Sequence, residues 1–286
     1  MKLVNFTLSI LLLSCFLLSQ YSEAQVSTVS KKWKSPFLTI ETAGSVDLPI
    51  QDASGEIGDF FRFLNYGTSV GWGGQFNFKF GLGPKGTYRP YIFLGYAQLQ
   101  GSNSQYAFIK TNIITSTSGY PFPNNQLPDS TFGSSTIVFR IPYVGLGFEY
   151  AFTEVDRKKR QFIPFVGVDF FVDVITGMYR QTQNPAVVSG GDVETPFTIK
   201  TDVRLGIGAG TGADVRFTPN FGMTFGMKYK FANLIGKKSD FLREENKMNL
   251  LDASAPDLNS ALSNNRNIGF LEFYLGAAFY IGSSKK

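Results

Sequence analysis

Residues 198–217 read TIKTDVRLGIGAGTGADVRF, and after Thr218-Pro219-Asn220 residues 221–232 read FGMTFGMKYKFA. In the first arm Val203, Leu205, Ile207, Ala209, Thr211, Ala213, Val215 and Phe217 share one parity. Asp202, Arg204, Gly206, Gly208, Gly210, Gly212, Asp214 and Arg216 share the other. The second arm sets Phe221, Met223, Phe225, Met227, Tyr229 and Phe231 against Gly222, Thr224, Gly226, Lys228 and Lys230. A strand sends successive side chains to opposite faces, so this is a β-hairpin with one apolar face and one glycine-rich, charged face. Its arms are long beside the usual soluble strand of about five or six residues.

The same alternation predicts strands at about 36–48, 68–82, 91–100, 137–152, 163–179 and 267–281. In the second, Val70, Trp72, Phe76, Phe78, Phe80 and Leu82 oppose Gly71, Gly73, Gln75, Asn77, Lys79 and Gly81. The alternation at 91–100 is weaker. With the hairpin the total is eight strands. The connections at 49–67, 101–133, 180–197 and 233–266 are long, and those at 83–90, 153–162 and 218–220 are short. Two long connections carry helical signals: Ile57, Phe60, Phe61 and Leu64 have helical spacing, and 239–251 has helix formers behind a cap at Ser239 or Asp240. A β-extension is read at 106–114.

Residues 1–24 have the form of a secretory signal: Lys2, an apolar centre at 8–18, and Ser22-Glu23-Ala24 ahead of the cut. The sole cysteine, Cys15, lies inside it, so the exported chain, with a short leader at 25–35, has no disulfide. Leu13-Ser14-Cys15 is a poor lipoprotein box because the apolar run continues past it. Only 17% of the 286 residues are charged, against roughly 25% in soluble domains, while 15% are aromatic. The net charge of +5 is modest and spread out, and an exported chain does not meet nucleic acid, so none is expected as a partner.

A soluble barrel puts apolar residues inside and charge outside. The opposite parity fits better here. The apolar face carries more Phe and Met than a small interior could pack. The other face is largely glycine, and it also carries Tyr143, Phe165, Phe171 and Tyr274, which need the space that glycines opposite would leave. In lipid, a closed barrel is the β solution that pairs every backbone polar group. The fold class is therefore all-β: an eight-stranded antiparallel up-and-down transmembrane β-barrel over 36–286.

With its signal segment, alternating strands, unequal loops and final Phe279-Tyr280-Ile281, the chain resembles the small outer-membrane β-barrels of the OmpA/OmpX-like type. Gly282-Ser283-Ser284-Lys285-Lys286 follow the usual terminal signal, a departure from the pattern. The resemblance implies location in the outer membrane with lipid around the barrel, and the barrel-insertion machinery as a partner during assembly. Short turns and both termini would be periplasmic, and the long loops outside, free to meet a surface or envelope partner.

An eight-stranded barrel is just wide enough for its own side chains to fill. The predicted lumen carries Glu41, Lys79, Glu149, Asp169, Asp173, Asp202, Arg204, Asp214, Arg216, Lys228, Lys230 and Glu272. Both signs are present and can pair; unpaired, each would cost several kcal/mol in a dry interior. Counting from the tight turn at Pro219 sets Lys228 against Gly210 and Lys230 against Gly208. Glu272 is expected to reach Lys228 or Lys230, and Asp173 to reach Arg204. The network reads as a structural plug, with an ion path or gate as the sharper alternative.

Other motifs are weak. Gly81-Leu82-Gly83-Pro84-Lys85-Gly86 matches a dinucleotide fingerprint, but a strand follows it where a helix should. The chain has no histidine, so the histidine bases of lipid-modifying and proteolytic barrels have no counterpart, and no spacing singles out a serine or carboxylate pair. No cofactor or metal is expected. Arg157, Lys158, Lys159 and Arg160 read as a solvated turn rather than a lipid-headgroup site, and Phe60, Phe61 and Phe241 as caps on the barrel mouth rather than partner contacts. The expected function is non-enzymatic, in envelope integrity or surface interaction, with a narrow porin or transporter for small solutes or apolar molecules as the alternative.

Overall fold

The computed structural model describes residues 35–55, 65–83, 85–109, 130–156, 159–183, 194–237, 247–248, 250, 252 and 266–282. The signal segment, the leader up to residue 34, the helix read around Ile57–Leu64, and Phe60, Phe61, Phe241, Arg157 and Lys158 lie outside them. The strands are β1 (Leu38–Ile50), β2 (Val70–Phe80), β3 (Tyr88–Ile109), β4 (Ser130–Ala151), β5 (Gln161–Gln183), β6 (Glu194–Arg216), β7 (Phe221–Ile235), β8 (Lys247–Met248) and β9 (Gly269–Ile281). A single 3-10 turn covers Gln51–Ala53. Eight of the strands pair antiparallel in the order β5-β4-β3-β2-β1-β9-β7-β6, and β6 returns to β5, which closes the barrel. The short β8 adds parallel to β6 at Thr198 and Ile199. That corrects the expected helix at 239–251: residues 247–248 are extended, Leu250 is outside any helix, and the rest of that segment lies outside the described residues.

Barrel size follows from register. Hydrogen-bonded neighbours lead from Asp173 through Tyr143, Gly95, Gln75, Ala43, Gly276, Thr224 and Asp214 to Ile163, back on β5 but ten residues nearer its start. A shear of ten over eight strands, with normal strand spacing and rise, tilts the strands by about 40°. Such a tube has room for side chains and little else.

The parity is the one the alternation predicts. Trp72, Phe76, Val144, Phe170, Phe225, Met227, Phe273 and Leu275 stand on the outer wall, with Trp72 53% and Phe170 61% exposed. Glu41, Asp169, Asp214, Lys230 and Glu272 are buried within. An apolar band ~25 Å tall around a tube of this girth amounts to roughly 2,000 Å². A soluble monomer's largest apolar patch is about 300–600 Å². The band is a lipid-facing surface, and the protein is a membrane-spanning barrel. Aromatic rings gird its turn end, where Tyr88 meets Tyr150 at 5.5 Å and Phe221 meets Phe279 at 5.6 Å. Trp72 and Tyr96 meet at 5.5 Å toward the loop end.

Four strands are longer than the pattern predicts. β3 to β6 have 22 or 23 residues, while β1, β2, β7 and β9 have 11 to 15. β3 and β4 stay paired out to Ile109 and Ser130, and β5 and β6 to Thr182 and Glu194, so the described parts of 101–133 and 180–197 are sheet; the β-extension read at 106–114 is present over 106–109, and 110–114 lie outside the described residues. The apolar alternation stops where lipid stops, which is why these extensions read as loop. At the opposite end, Gly83 and Gly86 take φ of 72° and 61°, left-handed values that glycine adopts without strain, so the supposed fingerprint is a turn.

Inside, aromatic rings lie on glycine. Tyr91 faces Gly147, Phe93 faces Gly145 and Tyr143 faces Gly95 across β3 and β4. Phe165 faces Gly212 and Phe171 faces Gly206 across β5 and β6. A Cβ on Gly147 would fall within the Tyr91 ring, and one on Gly95 within the Tyr143 ring. Gly147→Leu is therefore expected to destabilise the barrel by about 3 kcal/mol or more, the upper range for overpacking. The check is loss of the compact, heat-sensitive gel band. Gly44→Ala, where an added Cβ meets nothing within 4 Å, should leave that band intact.

Candidate functional site: the filled lumen

Each of the eight barrel strands delivers one or more ionisable side chains to the tube, and they sort into layers along its axis. Nearest the turn end, the Arg216 guanidinium lies 4.0 Å from the Tyr280 ring centre and donates to the Asp156 carbonyl at 2.7 Å. Above it, Lys79 sits 2.7 Å from Glu41 and 2.8 Å from Glu149. Arg89 joins Glu149 at 3.1 Å to Asp214 on the far wall, to which it also donates. Asn77 donates to Glu41 at 3.2 Å. The Phe165 ring lies against Lys79 and Arg89, 4.8 and 4.9 Å away.

The middle layer holds two cations from β7. Lys228 is 3.2 Å from Asp169 and donates to the Tyr91 hydroxyl, which itself donates to Asp169. Lys230 is 2.5 Å from Glu272 and donates to the Tyr143 hydroxyl at 2.6 Å. The register behind this is the one counted from Pro219: Lys228 opposite Gly210 and Lys230 opposite Gly208. The Lys228 stem lies over bare backbone, since a Cβ on Gly210 would meet its Cγ at 2.5 Å. The Phe93, Tyr143 and Phe171 rings pack together at 5.6 to 6.4 Å between centres.

The loop-end layer departs from expectation. Asp173 was expected to reach Arg204, and the two are cross-strand neighbours. Yet Arg204 turns away, taking Asp252 through Nε and Nη2, both at 3.1 Å, and Asp202 at 2.7 Å. Both Asp173 carboxylate oxygens are buried without a hydrogen-bond partner among the described residues. Asp252 offers the paired oxygens that match a guanidinium fork, a bidentate geometry that outranks a single contact. Asn233 ties this down, donating to Asp252 at 3.2 Å and to the Arg266 carbonyl at 2.9 Å. Tyr66 donates to the Leu250 carbonyl, and the Arg266 guanidinium lies 5.0 Å from the Tyr66 ring centre. Tyr66, Leu250 and Ile268 join Leu99, Phe139 and Ile175 in one apolar cluster that closes the mouth.

All twelve predicted lumen residues are thus inside the tube, with Asp202 at the rim, its side chain 16% exposed. The pattern missed Arg89, Tyr91 and Phe93. On β3 the inward Tyr91 and Phe93 alternate with outward Ile92 and Leu94, so both faces look apolar and the parity is hidden; counting back from Gly95 would have found it. It also missed Asp252, Asn233 and Arg266, which lie beyond any period.

No family model matches the chain, and no curated protein matches it. Among solved structures, Neisserial surface protein A is similar at 12% identity and a TM-score of 0.39, over 85% of this chain and 97% of that one. Ail, the attachment invasion locus protein of Yersinia pestis, is similar at 10% identity and 0.33, over 86% and 98%. The outer membrane protease OmpT of Escherichia coli is similar at 12% and 0.36, over 86% and 94%. Likeness this loose leaves the function of the chain to its own residues.

Proposed function

We propose that this outer-membrane β-barrel works as a closed, non-enzymatic scaffold that holds its long loops on the cell surface, with the short turns and both termini in the periplasm. One observation carries the reading: three successive layers of paired charge, joined by stacked rings and topped by an apolar cluster, fill the cross-section. Lys79, Arg89, Lys228 and Lys230 each meet at least one carboxylate. A permeating ion would have to part such pairs in a low-dielectric interior, where leaving one charge unpaired costs about 3–5 kcal/mol. The extended sheet of β3 to β6 then serves as a platform in envelope integrity or surface interaction.

Purified protein in a planar bilayer tests this. The expected record shows no steady current above bare lipid. A stable open-channel current that falls in Lys228→Ala would instead establish a narrow conduit for small solutes.

A further inference from the structure

On the lipid-facing wall, the strand positions whose side chains are described carry three charged residues: Arg140, Arg180 and Lys200. All are cations. They lie on the adjacent strands β4, β5 and β6, at the loop-end margin of the apolar band. Arg140 and Arg180 are exposed and Lys200 is half-exposed. The register brings them together. Arg140 is the direct neighbour of Thr176. Ile175 pairs with Asp202 and Gly177 with Ile199, so Lys200 and Thr201 both stand opposite Thr176 at a β-bulge. A bulge re-aims side chains, here adding a cation beside the exposed Thr201 on one wall. The Thr201 hydroxyl donates to that of Thr176 at 3.2 Å, so two hydroxyls lie beside the two cations. Arg180 stands four residues farther out on β5.

We infer that this patch is a binding site for an anionic, phosphate-bearing lipid headgroup. Immediately below it Val203, Leu205 and Val144 are exposed to acyl chains. An amphiphile seated there would keep its tail on the apolar band and its headgroup level with Arg140 and Lys200. Arg140 and Lys200 form no ion pair among the described residues, so their charge is available to a ligand. Arginine supplies a planar donor fork for two phosphate oxygens, lysine a point charge, and the threonine hydroxyl a neutral donor. No described carboxylate on the outer wall opposes them. The assignment stands whichever membrane face the loops occupy, and it is independent of whether the lumen conducts.

Native mass spectrometry of the purified barrel in neutral detergent is the test, titrated with bis-phosphorylated lipid A, phosphatidylcholine or inorganic phosphate. Wild type is expected to retain one lipid A molecule in preference to phosphatidylcholine. Arg140→Gln with Lys200→Gln should weaken that binding about 30-fold, from roughly tenfold or less per surface cation. Lys159→Gln at the turn end should leave it unchanged. Both altered side chains lie on the outer wall, and the heat-sensitive gel band verifies that the variant is folded. Wild-type affinity in the folded double variant overturns the assignment. So does displacement of the lipid by an equal concentration of inorganic phosphate.

Discussion

Arg89→Met is expected to destabilise the barrel by about 3–5 kcal/mol, the cost of breaking a buried ion pair from one side. Arg89 is the bridge between Glu149 on β4 and Asp214 on β6. Without it, Glu149 still has Lys79 at 2.8 Å, but Lys79 is already shared with Glu41. Asp214 loses its one ion pair among the described residues. Urea unfolding of protein in lipid vesicles, followed by tryptophan fluorescence, measures the loss. Adding Asp214→Asn should recover much of it, because the stranded charge goes too. A double variant no more stable than Arg89→Met would show that packing, not charge, dominates this layer.

Arg204→Met is expected to cost a similar ~3–5 kcal/mol, and Asp173→Asn less than about 1 kcal/mol. Arg204 serves Asp202 and Asp252, so its loss removes an ion pair from each. Asp173 makes no hydrogen bond to Arg204, since neither of its oxygens is bonded among the described residues. The same unfolding assay reads both variants. A large loss in Asp173→Asn together with a small one in Arg204→Met would mean that the wall pair, and not the tie to Asp252, holds the mouth. Asp252→Asn should fall between them, because Arg204 would keep Asp202 and has Asp173 as its cross-strand neighbour.

What the sequence made legible was whatever repeats every second residue. Parity placed Lys228, Lys230, Asp169 and Glu272 inside, and the tight turn at Pro219 placed the lysines opposite glycines. Glu272 was expected to reach Lys228 or Lys230; it stands opposite Lys228 in register and pairs with Lys230. Three things stayed hidden, each for a physical reason. β3 has apolar residues on both faces, which erases parity and concealed Arg89. The outer parts of β3 to β6 leave the lipid, so nothing requires an apolar face there. The residues that close the mouth, Tyr66, Asp252 and Arg266, belong to connections whose side chains obey no period, and Arg204 chose among them rather than its strand neighbour.

The bonds that cross the tube say something about how it forms. Arg89 reaches from β3 to β6, Lys228 from β7 to β5, and the Lys230 ammonium from β7 to Tyr143 on β4. The first and third, each spanning three strand positions, cannot exist in a flat sheet. A half-curled intermediate inside the bilayer would present those cations to acyl chains, at roughly 2–4 kcal/mol for each one near the midplane. Closure should therefore be cooperative: the strands curl together at the membrane surface or within a catalyst, and once they meet, the seam between β1 and β9 has little reason to reopen.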